Sequence, residues 1–144
     1  MGYYAHATGK LVISDDVISD LSLTVRLMLN DNASMRGGSW NNGVKEERWY
    51  AWVDSKRLHE ACSSKDLLSI FHSWGFGADK IEKDTYKLVF HSKLGQEDLF
   101  LTKIAPFVTR GEIFWSGEDG MCWKNQFKDG QLRTVKSSAH QHLG

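Results

Sequence analysis

The closing third of the chain constrains the fold more than any other part of the sequence. It contains three short segments of strand-forming residues with two turn segments between them: 112–116, 121–127 and 131–135, separated by 117–120 and 128–130. The second turn contains Asp-Gly, which accepts the positive backbone angles of a tight hairpin. The sequence therefore predicts an antiparallel meander of three strands.

Three earlier stretches carry the period of an amphipathic helix. In the first two, the apolar residues stand three and four positions apart on one face: Ile18, Leu21, Val25, Met28 and Leu29, then Leu67, Ile70, Phe71 and Trp74. We expect Ser63 or Ser64 to cap the second helix, and Gly75 to end it. The third stretch, 96–108, contains Pro106, which should shorten its end.

Strand patterns precede and separate these helices, at residues 3–13, 48–54 and 85–91. In the last of them Tyr86, Leu88 and Phe90 share one face. This order predicts a single α+β domain over residues 1–136, with a mixed or mostly antiparallel sheet, about three helices on one side and the C-terminal three-strand meander. Residues 137–144 are polar and are expected to form a flexible tail.

Composition narrows the classes of partner. Lys+Arg and Asp+Glu balance at 18 each, whereas a nucleic-acid-binding protein usually carries a basic excess. No apolar run approaches the roughly 18 residues of a transmembrane helix, and the first 20 residues lack a charged-then-apolar signal pattern. The two cysteines, Cys62 and Cys122, are too few for a disulfide framework. We expect a cytoplasmic protein without a membrane or nucleic-acid partner.

The stretch 35–52 follows neither a helical nor a strand period throughout, and it is where we predict a binding site. The predicted site residues are Arg36, Gly37, Gly38, Ser39, Trp40, Arg48, Trp49 and Trp52. Arginine and tryptophan are enriched at protein-interface hot spots, and they also suit stacking on a base with a guanidinium on a phosphate. The Gly-Gly turn could present backbone amides to an anion. The alternative is that the three tryptophans close the core and the arginines are solvated.

Catalytic and metal-binding motifs are incomplete. His59 and Cys62 stand three apart, but no second pair completes a zinc site. His6-Ala7-Thr8 matches one half of a two-histidine phosphoesterase, whereas the best second half, His91-Ser92-Lys93, has lysine where the hydroxyl belongs. Both histidines are otherwise strand residues at exposed or edge positions. With no phosphate loop or nucleophile elbow, we predict no catalytic residue, no metal and no cofactor.

Two pairs of adjacent acids have structural explanations. Glu97-Asp98 falls in the first turn of a predicted helix, where the helix dipole favours anions. Glu118-Asp119 falls in the first predicted hairpin turn. We assign no catalysis to either pair.

Five segments carry a family resemblance: Met-Gly-Tyr-Tyr at 1–4, Arg-Gly-Gly-Ser-Trp at 36–40, Arg-Trp-Tyr-Ala-Trp at 48–52, Gly-Gln-Glu-Asp-Leu-Phe at 95–100 and Trp-Ser-Gly-Glu-Asp-Gly at 115–120. Together they resemble a family of small uncharacterised proteins found in bacteriophages and in bacterial genomes with prophage-like genes. The resemblance spans nearly the whole chain, and it carries over no catalytic residues. It implies a phage-associated setting, and so the cytoplasm of a host cell.

Three functions remain open at this point. We expect a non-enzymatic binding protein that blocks a host defence protein through the Arg/Trp-rich stretch. The first alternative is a protein that binds and sequesters a nucleotide-like anionic ligand. The second is a phosphoesterase acting on nucleotides or RNA, centred on His6. An exposed strand edge in the meander would also suit a homodimer.

Overall fold

A computed structural model of the chain describes residues 3–30, 40–41, 44–45, 55–94 and 97–138. The described residues form eight strands: β1 (Tyr4–Val12), β2 (Trp40–Asn41), β3 (Val44–Lys45), β4 (Phe76–Glu82), β5 (Thr85–Lys93), β6 (Arg110–Gly117), β7 (Met121–Lys128) and β8 (Gln131–Ser138). They also form four α-helices: α1 (Ile18–Asn30), α2 (Ser55–Ser63), α3 (Leu67–Ser73) and α4 (Glu97–Ile104). Short 3₁₀ turns at Asp15–Val17 and Ala105–Phe107 precede α1 and follow α4.

Six of the strands form one antiparallel sheet in the order β4-β5-β1-β6-β7-β8. The N-terminal strand β1 lies inside this sheet, between β5 and β6. Strands β2 and β3 form a separate two-stranded pair. The predicted α+β class and the C-terminal meander of β6, β7 and β8 are therefore confirmed.

The meander turns have the backbone geometry that their sequences predicted. Asp129 and Gly130 both have positive φ angles, 55° and 74°, as the two central residues of a type I′ hairpin turn require. Gly120, at the end of the turn between β6 and β7, has a φ of 83°. These turns fix the register in which β7 pairs with its two neighbours.

Helices cover one face of the sheet, and the hydrophobic core lies between the two layers. Alternate residues of β1 point into this core, so that Ala5 and Leu11 are fully buried while Tyr4 is exposed. Helix α1 buries Leu21, Val25 and Met28, as its predicted apolar face requires. The largest fully buried side chains are aromatic and cluster around α3, β4 and α4: Phe71, Trp74, Phe76 and Phe100.

Gly9 marks a close approach of two backbones in the centre of the sheet. A Cβ atom on this residue would lie 2.2 Å from the carbonyl oxygen of Glu112 and 2.7 Å from the Cα of Ile113, both on β6. Only glycine fits without displacing the neighbouring strand. Strand β1 therefore needs a glycine at position 9 for β6 to pair with it in this register.

Several elements differ from the sequence-based expectation. The described residues contain four helices where about three were expected, and the additional helix is α2. Strand β4 was not predicted at all. Helix α3 is capped by Asp66, whose carboxylate accepts a hydrogen bond from the Ser69 amide at 3.2 Å, so the prediction of Ser63 or Ser64 as the cap was wrong.

Other expectations match the structure or fall outside the described part. Gly75 follows α3 with a φ of 91°, as predicted. Helix α4 ends at Ile104, before Pro106, and a 3₁₀ turn follows. Strand β8 extends to Ser138, two residues into the predicted tail. The predicted strand at 48–54 and residues 139–144 lie outside the described residues.

Candidate binding surfaces

Most of the predicted site lies outside the residues that the structure describes. This holds for Arg36, Gly37, Gly38, Ser39, Arg48, Trp49 and Trp52. For Trp40 the structure describes the backbone, which pairs with Lys45 in the β2–β3 pair. The hypothesis about this stretch therefore stays a prediction, and two other surfaces emerge from the described residues.

The first surface is the sheet face opposite the helices, which we call the open face. His6 on β1 stands directly opposite His91 on β5, and their imidazole rings stack with centroids 3.9 Å apart and planes at 29°. Both side chains are exposed. On the other side of His6, Ser116 of β6 occupies the paired position, and Cys122 of β7 follows it. The sheet thus assembles a polar row from four strands.

An apolar row runs beside these polar residues. The register places Val89, Thr8, Phe114, Lys124 and Val135 at successive paired positions across β5, β1, β6, β7 and β8. The three apolar members, Val89, Phe114 and Val135, are 45%, 52% and 51% exposed, so no described part of the chain covers this row. The Lys124 ammonium lies 5.8 Å from the centre of the Phe114 ring. A groove of about 580 Å³ follows the row between β1 and β8.

The third row of the open face is charged, with both signs interspersed. Lys87 and Lys10 are paired positions on β5 and β1, flanked by Asp79 on β4 and by Glu112 on β6. Glu112 forms an ion pair with Lys124 at 3.1 Å. Arg133 of β8 stands in the same row beyond Gln126, so the two acids offset only part of the field from the basic side chains of this face.

The second surface is a cleft of about 310 Å³ on the helix side of β6, β7 and β8, which we call the tryptophan cleft. It is lined by Tyr3, Leu94, Glu97, Asp98, Trp115, Met121, Cys122, Trp123, Thr134 and Lys136. The indoles of Trp115 and Trp123 stack with ring centroids 5.7 Å apart and planes at 3°. The centroid of the Tyr3 ring lies 6.4 Å from that of Trp123.

A buried hydrogen-bond chain holds one of these indoles. The Trp115 Nε1–H donates to Asn125 Oδ1 at 2.6 Å, and Asn125 Nδ2 donates to Thr134 Oγ1 at 3.0 Å. Because an indole nitrogen can only donate, the atom of Asn125 facing it must be the oxygen. Asn125 is fully buried and Trp115 is 3% exposed, so the hydrogen bond between them is removed from water, whereas Thr134 is exposed. It fixes the orientation of the cleft's inner wall.

Tyr3 and Tyr4 form hydrogen bonds with the β6–β7 hairpin beside the same cleft. The Tyr3 hydroxyl donates to the Asp119 carboxylate, and the Tyr4 amide donates to Glu118 Oε1 at 3.1 Å. The hydrogen bond to Asp119 raises the pKa of Tyr3 to about 12, and in turn lowers the pKa of Asp119. Gly117 makes room for the tyrosine, since a Cβ there would lie 1.7 Å from its hydroxyl oxygen. The acids of this hairpin are thus structural, as predicted.

The acids of α4 face the tryptophan cleft. Glu97 is 3% exposed, and Asp98 is exposed beside it. Partial burial of the carboxyl end of its side chain raises the pKa of Asp98, and the charge of Lys136 partly offsets this shift. Asp98 and Lys136 are not in ion-pair contact within the described part of the chain. The cleft therefore combines aromatic walls, two carboxyl groups and one ammonium.

The two thiols lie in different elements of the fold. Cys62 lies buried in α2, where burial raises its pKa to about 11, while Cys122 lies on β7 and is partly exposed. Within the described ranges no group of three His, Cys, Asp or Glu side chains could hold a metal ion. In the same ranges no helix is long and apolar enough to cross a membrane.

Comparison with known proteins adds no assignment: no protein-family model, no curated protein and no solved structure matches the chain. The resemblance to phage-type proteins stays a prediction.

The open face could in part have been found from the sequence. Phe114 and Val135 occupy outward positions of predicted meander strands, where polar residues are usual. Val89 does the same between the inward residues Leu88 and Phe90. Which strands are neighbours, and therefore that these residues form one row, depends on long-range pairing that the local pattern does not contain.

Proposed function

We propose that this is a non-enzymatic binding protein that engages a partner protein through the open face of its sheet. The observation that carries the proposal is one row across the sheet in which Val89, Phe114 and Val135, all about half exposed, alternate with Thr8 and Lys124. Isolated exposed apolar residues are ordinary, but a contiguous patch on a monomer usually marks an interaction site.

The arrangement of the rows supports a protein partner. Protein interfaces have an apolar centre with aromatic residues, surrounded by a polar rim. Here the apolar row lies between the histidine row and the charged row. In the charged row the lysines Lys87 and Lys10 stand side by side, with the acids Asp79 and Glu112 on either side, and this mixed charge suits a protein surface better than the uniform phosphates of a nucleic acid.

In the phage-associated setting that the resemblance implies, the partner would be a host protein, and binding would block it. The predicted stretch with Arg36, Trp40 and Arg48 would then be a second part of the binding surface. This step rests on the resemblance and on the residue types of that stretch.

The test compares matched variants in a capture experiment from host lysate, quantified by mass spectrometry. The open-face variant is Phe114→Thr/Val135→Thr, which keeps strand-forming residues and removes apolar surface. The control is Leu27→Gln on α1, because Leu27 is 53% exposed and Phe114 is 52% exposed. The open-face variant should capture about ten-fold less of the partner, as expected for a lost aromatic anchor, and the control should capture it normally. Equal capture by both would refute the proposal.

Two further arms separate other outcomes. The variant Arg36→Ala/Trp40→Ala/Arg48→Ala reports whether the predicted stretch contributes to the same interface. Light scattering after size-exclusion chromatography reports self-association. If the native protein is a dimer and Phe114→Thr/Val135→Thr is a monomer, the face pairs two copies of this chain, and the host-partner proposal fails.

The second candidate is a site for a nucleotide-like ligand or phosphodiester, and one observation favours it. His6 and His91, from the two compared motifs, lie side by side on the open face, with Thr8 and Ser116 at neighbouring positions. Ser92 falls on the opposite side of β5 from His91, so the second motif still lacks its hydroxyl. A thermal-shift panel of cyclic nucleotides and dinucleotides tests binding, and turnover by His6→Ala tests catalysis. No shift and no turnover with the native protein would end this candidate.

A further inference from the structure

The histidine pair of the open face, His6 and His91, holds two nitrogen-bearing rings side by side. The two residues occupy directly opposite positions on β1 and β5, and their ring centroids are 3.9 Å apart with planes at 29°. Both side chains are exposed. Two neighbouring imidazoles of this kind are ligands that one transition-metal ion can share.

The spacing of the two rings is close to the spacing that a metal ion requires. A zinc–imidazole bond is about 2.0–2.1 Å long, so two nitrogens bound to one ion lie roughly 3 Å apart. Rings with centroids 3.9 Å apart reach this separation by small rotations of the exposed side chains. The backbone does not have to move, because the two residues are already paired across the sheet.

The strands that carry the pair fix its position. Strand β1 lies between β5 and β6, and β5 lies between β4 and β1, so both strands are paired on two sides. The residues that flank the histidines in sequence, Ala5, Ala7 and Phe90, are buried in the core. Ligands held on rigid strands lose little conformational freedom when an ion binds.

The pair forms an open site with two protein ligands. A closed structural zinc site has four, and among the described residues no third His, Cys, Asp or Glu side chain joins the pair. Cys122 lies in the same row, but β6 separates β7 from β1, which places it about 10 Å from His6. The remaining coordination positions therefore face solvent, where water or a side chain of another molecule binds the ion.

We propose that His6 and His91 together chelate a divalent transition-metal ion, Cu²⁺, Ni²⁺ or Zn²⁺, on the open face. Imidazole nitrogen suits these ions, whereas Mg²⁺ and Ca²⁺ take oxygen ligands. The Irving–Williams order makes Cu²⁺ the tightest of the three. The sequence alone predicted no metal, because the two ligands come together only through the pairing of β1 with β5.

The measurement starts from a chain without a competing pair of histidines. His140 and His142 stand two apart near the C-terminus and could hold an ion of their own. The reference protein is therefore the full chain with His140→Gln/His142→Gln. In isothermal titration calorimetry at neutral pH it should bind one Cu²⁺ ion with a Kd of about 100 µM or tighter, and Ni²⁺ and Zn²⁺ more weakly. Mg²⁺ should give no binding heat.

Matched variants of the reference protein identify the ligands. His6→Gln and His91→Gln change exposed side chains, and each should weaken Ni²⁺ binding by about ten-fold or more, because a second ligand on the same chain acts at high effective concentration. His72→Gln removes an exposed histidine of α3 and should bind Ni²⁺ normally. Circular dichroism checks that each variant is folded. Unchanged affinity in both His6→Gln and His91→Gln, or no binding by the reference protein at millimolar ion, overturns the proposal.

Paramagnetic broadening locates the site without any substitution in the pair. Substoichiometric Cu²⁺ added to the ¹⁵N-labelled reference protein should first weaken the amide NMR signals of β1 and β5 around His6 and His91. Broadening centred on α2 or α3 would refute the assignment. The variant Phe114→Thr/Val135→Thr keeps both histidines and should bind the ion normally. The metal site and the partner-binding proposal are therefore tested independently.

Discussion

The pair Trp115–Asn125 should show a measurable coupling energy, because it is a buried polar contact inside an apolar layer. Trp115 is 3% exposed and Asn125 is fully buried, and their hydrogen bond measures 2.6 Å. Replacing Asn125 with leucine leaves the indole donor without its acceptor and also removes the bond to Thr134. At about 1 kcal/mol for each bond, we expect the free energy of unfolding to fall by about 2 kcal/mol.

The sharper quantity comes from a double-mutant cycle with Asn125→Leu, Trp115→Phe and both together. Each single variant leaves one buried polar atom unpaired, whereas the double variant leaves neither of this pair. The lost Thr134 bond affects both Asn125→Leu and the double variant, and the smaller ring affects both Trp115→Phe and the double variant. Both effects therefore cancel in the coupling energy. We expect a coupling of about 1–3 kcal/mol, the cost of a buried unpaired donor or acceptor.

The assay is urea unfolding followed by far-ultraviolet circular dichroism, because tryptophan fluorescence itself changes in Trp115→Phe. A loss of 2 kcal/mol should also lower the Tm by roughly 6 °C in a chain of this size. Thr134→Val is the matched control, since it removes only the bond at the exposed end of the chain and should cost about 1 kcal/mol while leaving the Trp115–Asn125 coupling unchanged. A coupling below about 0.5 kcal/mol would show that the contact does not hold Trp115 in place.

Three further predictions follow from single positions. Gly9→Ala should destabilise the protein by about 3 kcal/mol in urea unfolding, because the new Cβ meets β6 backbone at 2.2 Å. One tyrosine should titrate near pH 12 in 295-nm absorbance, and Asp119→Asn should move that transition toward pH 10. The raised pKa of Tyr3 means that its hydrogen bond stabilises the fold below about pH 10 and is lost as pH rises toward 12. The lowered pKa of Asp119 means that the same bond is lost when acidification below about pH 4 protonates the carboxylate. At pH 8, Cys122 should react with Ellman's reagent at least about ten-fold faster than Cys62, whose burial raises its pKa to about 11; comparable rates would contradict the packing of α2.

Local signals were sufficient for much of the fold. Asp129 and Gly130 specified a turn that needs two positive φ angles, and the structure has both. The spacing of Leu21, Val25 and Met28 identified the buried face of α1 correctly. These predictions succeeded because each depends on residues within a few positions of one another.

Strand β4 was missed for a local physical reason. Its sequence, Phe-Gly-Ala-Asp-Lys-Ile-Glu, buries only Phe76 and Ala78, and its second half is exposed. It therefore shows too little alternation to be separated from the loop after α3. Among the described strands it pairs with β5 alone, and one buried end is enough to hold it in the sheet.

The candidate sites were beyond local prediction because they depend on register. His6 and His91 meet only because β1 pairs with β5 in one alignment, and Tyr3 meets Asp119 across 116 positions of sequence. A shift of one residue would send each side chain to the opposite face. The histidines, the tyrosine and the aspartate can be read from the sequence, but the sequence does not show which of them share a surface.

The open face and the tryptophan cleft share strands β6 and β7. Some substitutions on these strands should therefore affect one surface alone, and others should affect both. Phe114 and Trp115 are neighbours in sequence, yet they face opposite sides of the sheet. A change at Phe114 should therefore affect only the open face, and a change at Asp98 only the tryptophan cleft. Tyr3→Phe is different, because it removes the hydrogen bond from Tyr3 to Asp119 in the hairpin that joins both strands. If the proposed function holds, loss of that hydroxyl should weaken partner capture, whereas a change at Asp98, on the other side of the sheet, should leave capture unchanged.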